Sequence, residues 1–203
     1  GAVIGAVATV FVYSRVKKLS FTQMLDTACI GLVAGQILGR WGNFFNREAF
    51  GGYTDGLFAM QLPVNAVRAH EITDQMWAHV QLIGGEQFIQ VHPTFLYESV
   101  WNLAGFIALH FLTKKRKFDG QIFLSYLTWY GLGRVWIEGL RTDSLYLFST
   151  GIRVSQLVAA LCVVIGGGAL AYILIKKKPD PAQLYVNQKA AREAEAAQED
   201  AEA

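Results

Sequence analysis

Hydrophobic positions in this chain gather into long runs separated by short polar joints. Five runs stand out: Gly1–Ser14, about Phe21–Arg40, about Pro93–Thr113, about Gly120–Glu138 and about Ile152–Ile175. A helix needs roughly 20 apolar residues to cross a bilayer. Four of the runs are near that length and are expected to span. Gly1–Ser14 is too short, and it has neither a basic leader nor a cleavage site, which excludes a signal peptide. It reads as the latter part of a spanning helix, so an N-terminally truncated chain is expected. The pattern therefore predicts an all-α fold, a polytopic membrane helix bundle.

Three basic clusters punctuate the runs: Arg15–Lys18, Lys114–Lys117 and Lys176–Lys178. Together they hold ten of the 18 Lys and Arg residues. Each closes a segment that would be travelling inward, and the positive-inside rule then puts all three in the cytoplasm. One orientation satisfies all of them. The connections Trp41–His92 and Leu140–Gly151 are left facing outward. Trp41–His92 is too long for a bare loop and mixes polar residues with apolar pieces such as Phe58-Ala59-Met60. A small folded extracytoplasmic cap over about 44–91 is expected. The membrane-embedded domain then covers 1–178. From Pro179 onward Ala, Glu, Gln and Asp dominate, which predicts a disordered or weakly helical cytoplasmic tail over 179–203.

Composition narrows the function classes. The chain is 53% hydrophobic and only 17% charged, too apolar for an ordinary soluble domain. Cys29 and Cys162 both sit inside apolar runs and read as buried thiols. The four histidines (His70, His79, His92, His110) form no HxH or HxxxH pair. No metal, cofactor or nucleic-acid partner is expected.

The candidate chemistry lies where polar residues interrupt the apolar runs. In Gly39–Gly52 the polar residues Arg40, Asn43, Asn46, Arg47 and Glu48 follow a membrane-like stretch. Polar groups at membrane depth are costly and usually have a partner or a task. Arg40 alone could mark a membrane edge and snorkel outward; two asparagines and a glutamate among aromatics ask for more than an edge. Gly31, Gly35 and Gly39 repeat at the spacing that lets helices approach closely. In the fourth run Tyr126, Tyr130, Arg134 and Glu138 recur every fourth residue, with Arg141 three further on, one helical face. An internal Arg134–Glu138 pair is the plain reading, but one glutamate does not neutralise two arginines. The third run opens His92–Glu98, with Asn102 one turn later. Glu98 wants a cation, and Arg40 and Arg134 are the candidates. His92 reads as a cap or interfacial residue ahead of a catalytic one.

Depth then decides between classes. Segments two and four travel outward and segment three inward, so all three bring their polar residues to one level in the outer half of the bilayer. Asp26 is the main polar residue of the inner half. A conduit should be polar along its length, which counts against the alternative, a membrane transporter for an anionic solute. Paired arginines at one depth suit a phosphate held by bidentate hydrogen bonds, and the abundant phosphate at that depth belongs to membrane lipid.

These motifs resemble bacterial prolipoprotein diacylglyceryl transferases. Gly39–Glu48 is similar to a G-R-x-G-N-F-x-N-x-E element, His92–Glu98 to H-P-[ST]-x-L-Y-E, and Tyr130–Arg141 to Y-G-x-x-R-x-x-x-E-x-x-R. The resemblance implies an enzyme of the bacterial cell membrane with its active site toward the extracytoplasmic face. It would transfer the diacylglyceryl group of phosphatidylglycerol to the lipobox cysteine of a prolipoprotein signal peptide, releasing glycerol phosphate. It implies catalytic roles for Arg40, Arg134, Tyr130 and Glu138. Substrate contacts are implied for Arg40, Asn43, Asn46, Glu48, Tyr97, Glu98, Arg134 and Arg141. The family's usual histidine would fall just ahead of Gly1, and family members usually span seven times.

Overall fold

The computed structural model describes residues 2–142 and 153–202. The expected connection Leu140–Gly151 therefore lies largely outside the described residues. Seven helices and three short strands follow one another: α1 (Ala2–Val16), α2 (Phe21–Asn46), β1 (Met60–Pro63), α3 (Asp74–Ala78), β2 (Gln81–Ile83), β3 (Glu86–Val91), α4 (Thr94–Thr113), α5 (Gln121–Ile137), α6 (Val154–Tyr172) and α7 (Tyr185–Glu202). α2, α4 and α6 with its continuation to Lys177 are long and apolar enough to cross a membrane. The fold is an all-α membrane-type bundle, with α2 against α4 and α5, and α5 against α6.

Two local devices fix the packing. α5 and α6 meet through glycine: a Cβ on Gly131 would lie 2.6 Å from the Ala159 carbonyl, and one on Gly166 3.0 Å from the Leu124 carbonyl. α4 and α5 meet through two stacked indoles, Trp101 and Trp129, 4.6 Å apart. Each donates Nε1–H to the other's backbone carbonyl, at 3.1 and 3.0 Å. Each also fills the space a side chain would need on the facing helix: Trp129 at Gly105, Trp101 at Gly133. By contrast, the Gly31-Gly35-Gly39 series is exposed, with nothing within 4 Å of a Cβ at any of the three. The expected close approach there is not made among the described residues, because α2 turns its Cys29 and Val33 side toward the bundle instead.

α2 runs to Asn46, six residues past the sequence boundary, so Arg40, Asn43 and Asn46 are helical. Arg47 ends it in the left-handed region with φ 54°. The segment after α2 is an antiparallel sheet in the order β1-β3-β2. β2 and β3 form a hairpin around Gly84-Gly85, whose φ values of 61° and 87° suit the tight turn that matches strand twist. Its own core gathers Phe50, Leu62, Met76, Ile89 and Val91.

Of the two forms expected for the tail, disordered or weakly helical, the helical one is present. α7 is helical from Tyr185 to Glu202, although its face buries nothing. Strong helix formers and a Lys189–Glu193 pair at 3.6 Å support it locally. Its start is pinned: Leu184 is buried, and Tyr185 donates its N–H to Asp119 at 2.8 Å.

Asp26 has a structural task. Almost fully buried, it accepts the N–H groups of Gly120 at 2.8 Å and Phe123 at 2.9 Å. It caps the N-terminus of α5 from α2. Asp26→Ala is expected to lower the unfolding free energy by roughly 1–2 kcal/mol, seen as a lower thermal midpoint in detergent; an unchanged midpoint contradicts the cap.

Candidate functional site

The three segments expected from sequence to bring polar residues to one level meet at one carboxylate. Glu98 stands one turn into α4, where Pro93 starts the helix and Thr94, Ser99 and Asn102 share its buried side. Its carboxylate lies 2.7 Å from Arg40 Nε of α2. It lies 3.2 Å from Arg134 Nη1 of α5 and 3.6 Å from Arg141 Nη1 just beyond α5. Arg134 also pairs with Glu138 at 2.6 Å. The plain i,i+4 pair is thus present, and α4 supplies the second carboxylate that two arginines require. Glu98 and Glu138 retain 7% and 3% of their side-chain surface, whereas Arg40 and Arg134 retain 23% and 17%. What an approaching group meets first is therefore cationic.

A second group of residues ties this cluster to the cap. Asn43 Oδ1 accepts from Arg40 Nη1 at 3.4 Å. The Asn43 and Asn46 amides each donate to Glu48 at 3.2 Å, and Arg68 from the cap reaches Glu48 at 3.6 Å. Asn43, Asn46 and Glu48 therefore position Arg40 and anchor the turn after α2. Tyr130 lies one turn below Arg134 and lines a small cavity with Glu98 and Asn102.

Tyr97 points elsewhere. Its hydroxyl is 3.2 Å from His92 Nδ1, beside Trp136. His92 itself is a junction residue. Its backbone N–H and carbonyl pair with Gly52 and Gly51 at 3.0 Å, and Gly52 N–H reaches the Leu140 carbonyl at 2.9 Å. A Cβ on Gly51 would lie 2.7 Å from that of His92, so only glycine lets these three segments meet. Partial burial pulls the His92 imidazole below its ordinary 6.5.

Sequence reasoning missed several contributors. Arg68 had no motif around it. Arg153, at the start of α6, donates to the Glu138 carbonyl, and only the fold brings it there. Gly51 was visible as glycine, but its three neighbours are distant in sequence. Trp101 and Trp129 looked like ordinary apolar residues of their runs.

Two outcomes follow from this geometry. Glu98→Gln removes the charge shared by three guanidinium groups and is expected to cost about 3 kcal/mol or more in a denaturant titration; a change within error contradicts the hub. His92 favours its neutral form in the fold, so its stabilising contribution is complete above pH 6.5 and lost as pH falls below that value. Its ring resonance should titrate below 6.5 by NMR, and His92→Asn should flatten the acid side of the stability curve. A midpoint above 6.5 contradicts the burial.

Known proteins match this chain over most of its length. The family model described as prolipoprotein diacylglyceryl transferase matches residues 1–172. Among curated relatives, the phosphatidylglycerol–prolipoprotein diacylglyceryl transferase of Lysinibacillus sphaericus (strain C3-41) is 44% identical over 93% of this chain and 64% of its own length. That of Listeria welshimeri is 43% identical over 88% and 60%, and that of Geobacillus kaustophilus (strain HTA426) 42% over 81% and 56%. The chain thus spans about 60% of the length of the curated relatives it matches. With its apolar spanning helices it is a multi-pass membrane protein, and it belongs to the prolipoprotein diacylglyceryl transferase family.

Proposed function

We propose that the protein to which this chain belongs transfers the diacylglyceryl group of phosphatidylglycerol to the thiol of a lipobox cysteine in a prolipoprotein signal peptide. Glycerol phosphate is the second product, and the reaction is the first step of bacterial lipoprotein maturation. The observation that carries the reading is the convergence of Arg40 and Arg134 from different helices at one level, in a chain of this family. The protein sits in the bacterial cell membrane with the arginines toward the extracytoplasmic face, as the basic clusters indicate. Residues 1–178 form the working domain, the segment between α2 and α4 its extracytoplasmic cap, and the stretch from 179 a cytoplasmic tail.

In this reading the phosphate of phosphatidylglycerol takes hydrogen bonds from Arg40 and Arg134, competing with Glu98 for the same donors. The cysteine sulfur, as thiolate, attacks the glyceryl carbon that bears the phosphate ester. A C–S bond forms, the C–O bond breaks, and the electron pair leaves with the glycerol phosphate. The thiol proton goes to a base or to water before attack. Arginines fixed in place stabilise charge as it gathers on the departing phosphate, without reorganising at that moment. Asn43, Asn46 and Glu48 hold Arg40 at its angle, Glu138 holds Arg134, Arg141 shares Glu98 with it, Tyr130 shapes the approach, and Tyr97 braces the start of α4 through His92. The anionic-solute transporter is supported less, since Asp26, the main polar residue of the inner half, is engaged in capping α5.

In the full-length protein, Arg40→Ala and Arg134→Ala are each expected to lower phosphatidylglycerol-dependent labelling of a lipobox peptide by about 100-fold or more. Turnover retained in both variants rejects the assignment. Uptake of an anionic solute by proteoliposomes without any acceptor peptide would support the transporter in its place.

A further inference from the structure

One turn beneath the arginine level the bundle keeps a polar space that the arginines do not fill. α4 and α5 run in opposite directions, so Asn102 follows Glu98 by four residues as Tyr130 precedes Arg134 by four. Both are displaced the same way, by about 6 Å at 1.5 Å per residue. Between them lies a cavity of about 10 Å³, walled by Trp101 and lined by Glu98, Asn102, Tyr130 and Arg134. That is room for a single oxygen-sized group. The Trp101–Trp129 pair, locked by its two reciprocal hydrogen bonds, prevents the wall from collapsing into it.

Asn102 is the unusual member. It is 6% exposed; its amide makes no hydrogen bond to another described residue, yet it is not among the fully enclosed unsatisfied groups, so it keeps a little accessible surface where it lines the cavity. Buried amides are normally satisfied, and an apolar side chain would fill this helix position at less cost. Its neighbours Ser99 and Trp101 both have partners. An amide and a tyrosine that line one cavity can both donate to an acceptor placed in it.

We propose that Asn102, assisted by Tyr130, is a substrate-binding residue that donates a hydrogen bond to an acyl-ester carbonyl of the lipid. The inference rests on the phospholipid-transferase reading above. In a glycerophospholipid the acyl esters sit on the glycerol backbone, on the hydrocarbon side of the phosphate. With the phosphate on Arg40 and Arg134, an ester carbonyl falls one helical turn deeper, at the level of Asn102. A carbonyl oxygen only accepts, and the amide NH₂ and the phenol O–H both donate. Gripping the backbone at two points, phosphate and ester, fixes the glyceryl carbon between them for attack. A water molecule is the competing occupant, and lipid chemistry separates the two.

The test compares diester with diether phosphatidylglycerol, which lacks the carbonyls, in lipobox-peptide labelling by the full-length protein. Turnover of the natural diester by the wild type checks the transferase reading by itself. The ester-to-ether ratio checks the subsite, and a misfolded fraction does not alter a ratio. One hydrogen bond predicts a wild-type preference for the ester of roughly 3- to 10-fold. Asn102→Leu should bring the ratio to about 1, and Asn102→Gln, which keeps the donor, should restore part of it. A variant without turnover is read by the same ratio in lipid protection against thermal aggregation. No ester preference in the wild type, or a preference that Asn102→Leu leaves intact, overturns the proposal and leaves the cavity to water.

Discussion

One carboxylate holds this structure's chemistry in place. Glu98 sits nearly out of reach of solvent and is shared by guanidinium groups from α2, α5 and the turn after α5. Charges buried this way are tolerated only when paired and hydrogen-bonded. The three arginines would repel one another without it, and Glu98 would be costly without them. Each helix is therefore committed to one rotation and one depth. The same arrangement leaves the arginines preorganised and partly open. In the proposed reaction an incoming phosphate would find donors already set in position and need only displace a carboxylate from some of them.

The rest of the bundle serves that commitment. The Trp101–Trp129 interlock fixes the register of α4 on α5, and so the distance from Glu98 to Arg134. The glycine contacts at Gly131 and Gly166 bring α6 close enough for Arg153 to reach the Glu138 carbonyl. Trp41 bonds to Ser99, and Ser99 to the Ile37 carbonyl, at 3.3 Å each, which ties α2 to α4 beside Arg40. On the other side Glu48, Arg68 and the Gly51–His92 junction join the cap to the end of α2. The site is thus held from two directions, by packing within the bundle and by polar links from the cap.

Much of this was legible in the sequence. Long apolar runs give helices whatever their partners, and basic clusters fix their direction, so α2, α4, α5 and α6 and their relative depth could be read directly. The partnership of Glu98 with Arg40 and Arg134 followed from the need of a carboxylate in a membrane helix for a cation, with depth in agreement. The sheet was not legible in the same way. Its strands are three to six residues long and show no clean alternation, although Gly84-Gly85 did carry a hairpin signal. The glycines misled in α2 because spacing says only that a helix can be approached, not that a neighbour is there. Tyr97 and Glu98 are adjacent in sequence, and a helix sends adjacent side chains about 100° apart. Only Glu98 reaches the arginines. The tail's composition forecast how little it buries and left disorder and weak helix open; the contact of Tyr185 with Asp119 that pins its start could not be read from it.

The account stands on contact between these arginines and a lipid phosphate. The most direct measurement is ¹⁵N–³¹P dipolar coupling by solid-state NMR, on the full-length protein with labelled arginine side chains in phosphatidylglycerol bilayers. It should show a short-range coupling from lipid phosphorus to guanidinium nitrogen that weakens in Arg134→Lys and disappears when Arg40→Lys is added to it. A guanidinium spectrum without ³¹P coupling, or a coupling unchanged by those substitutions, would contradict the account.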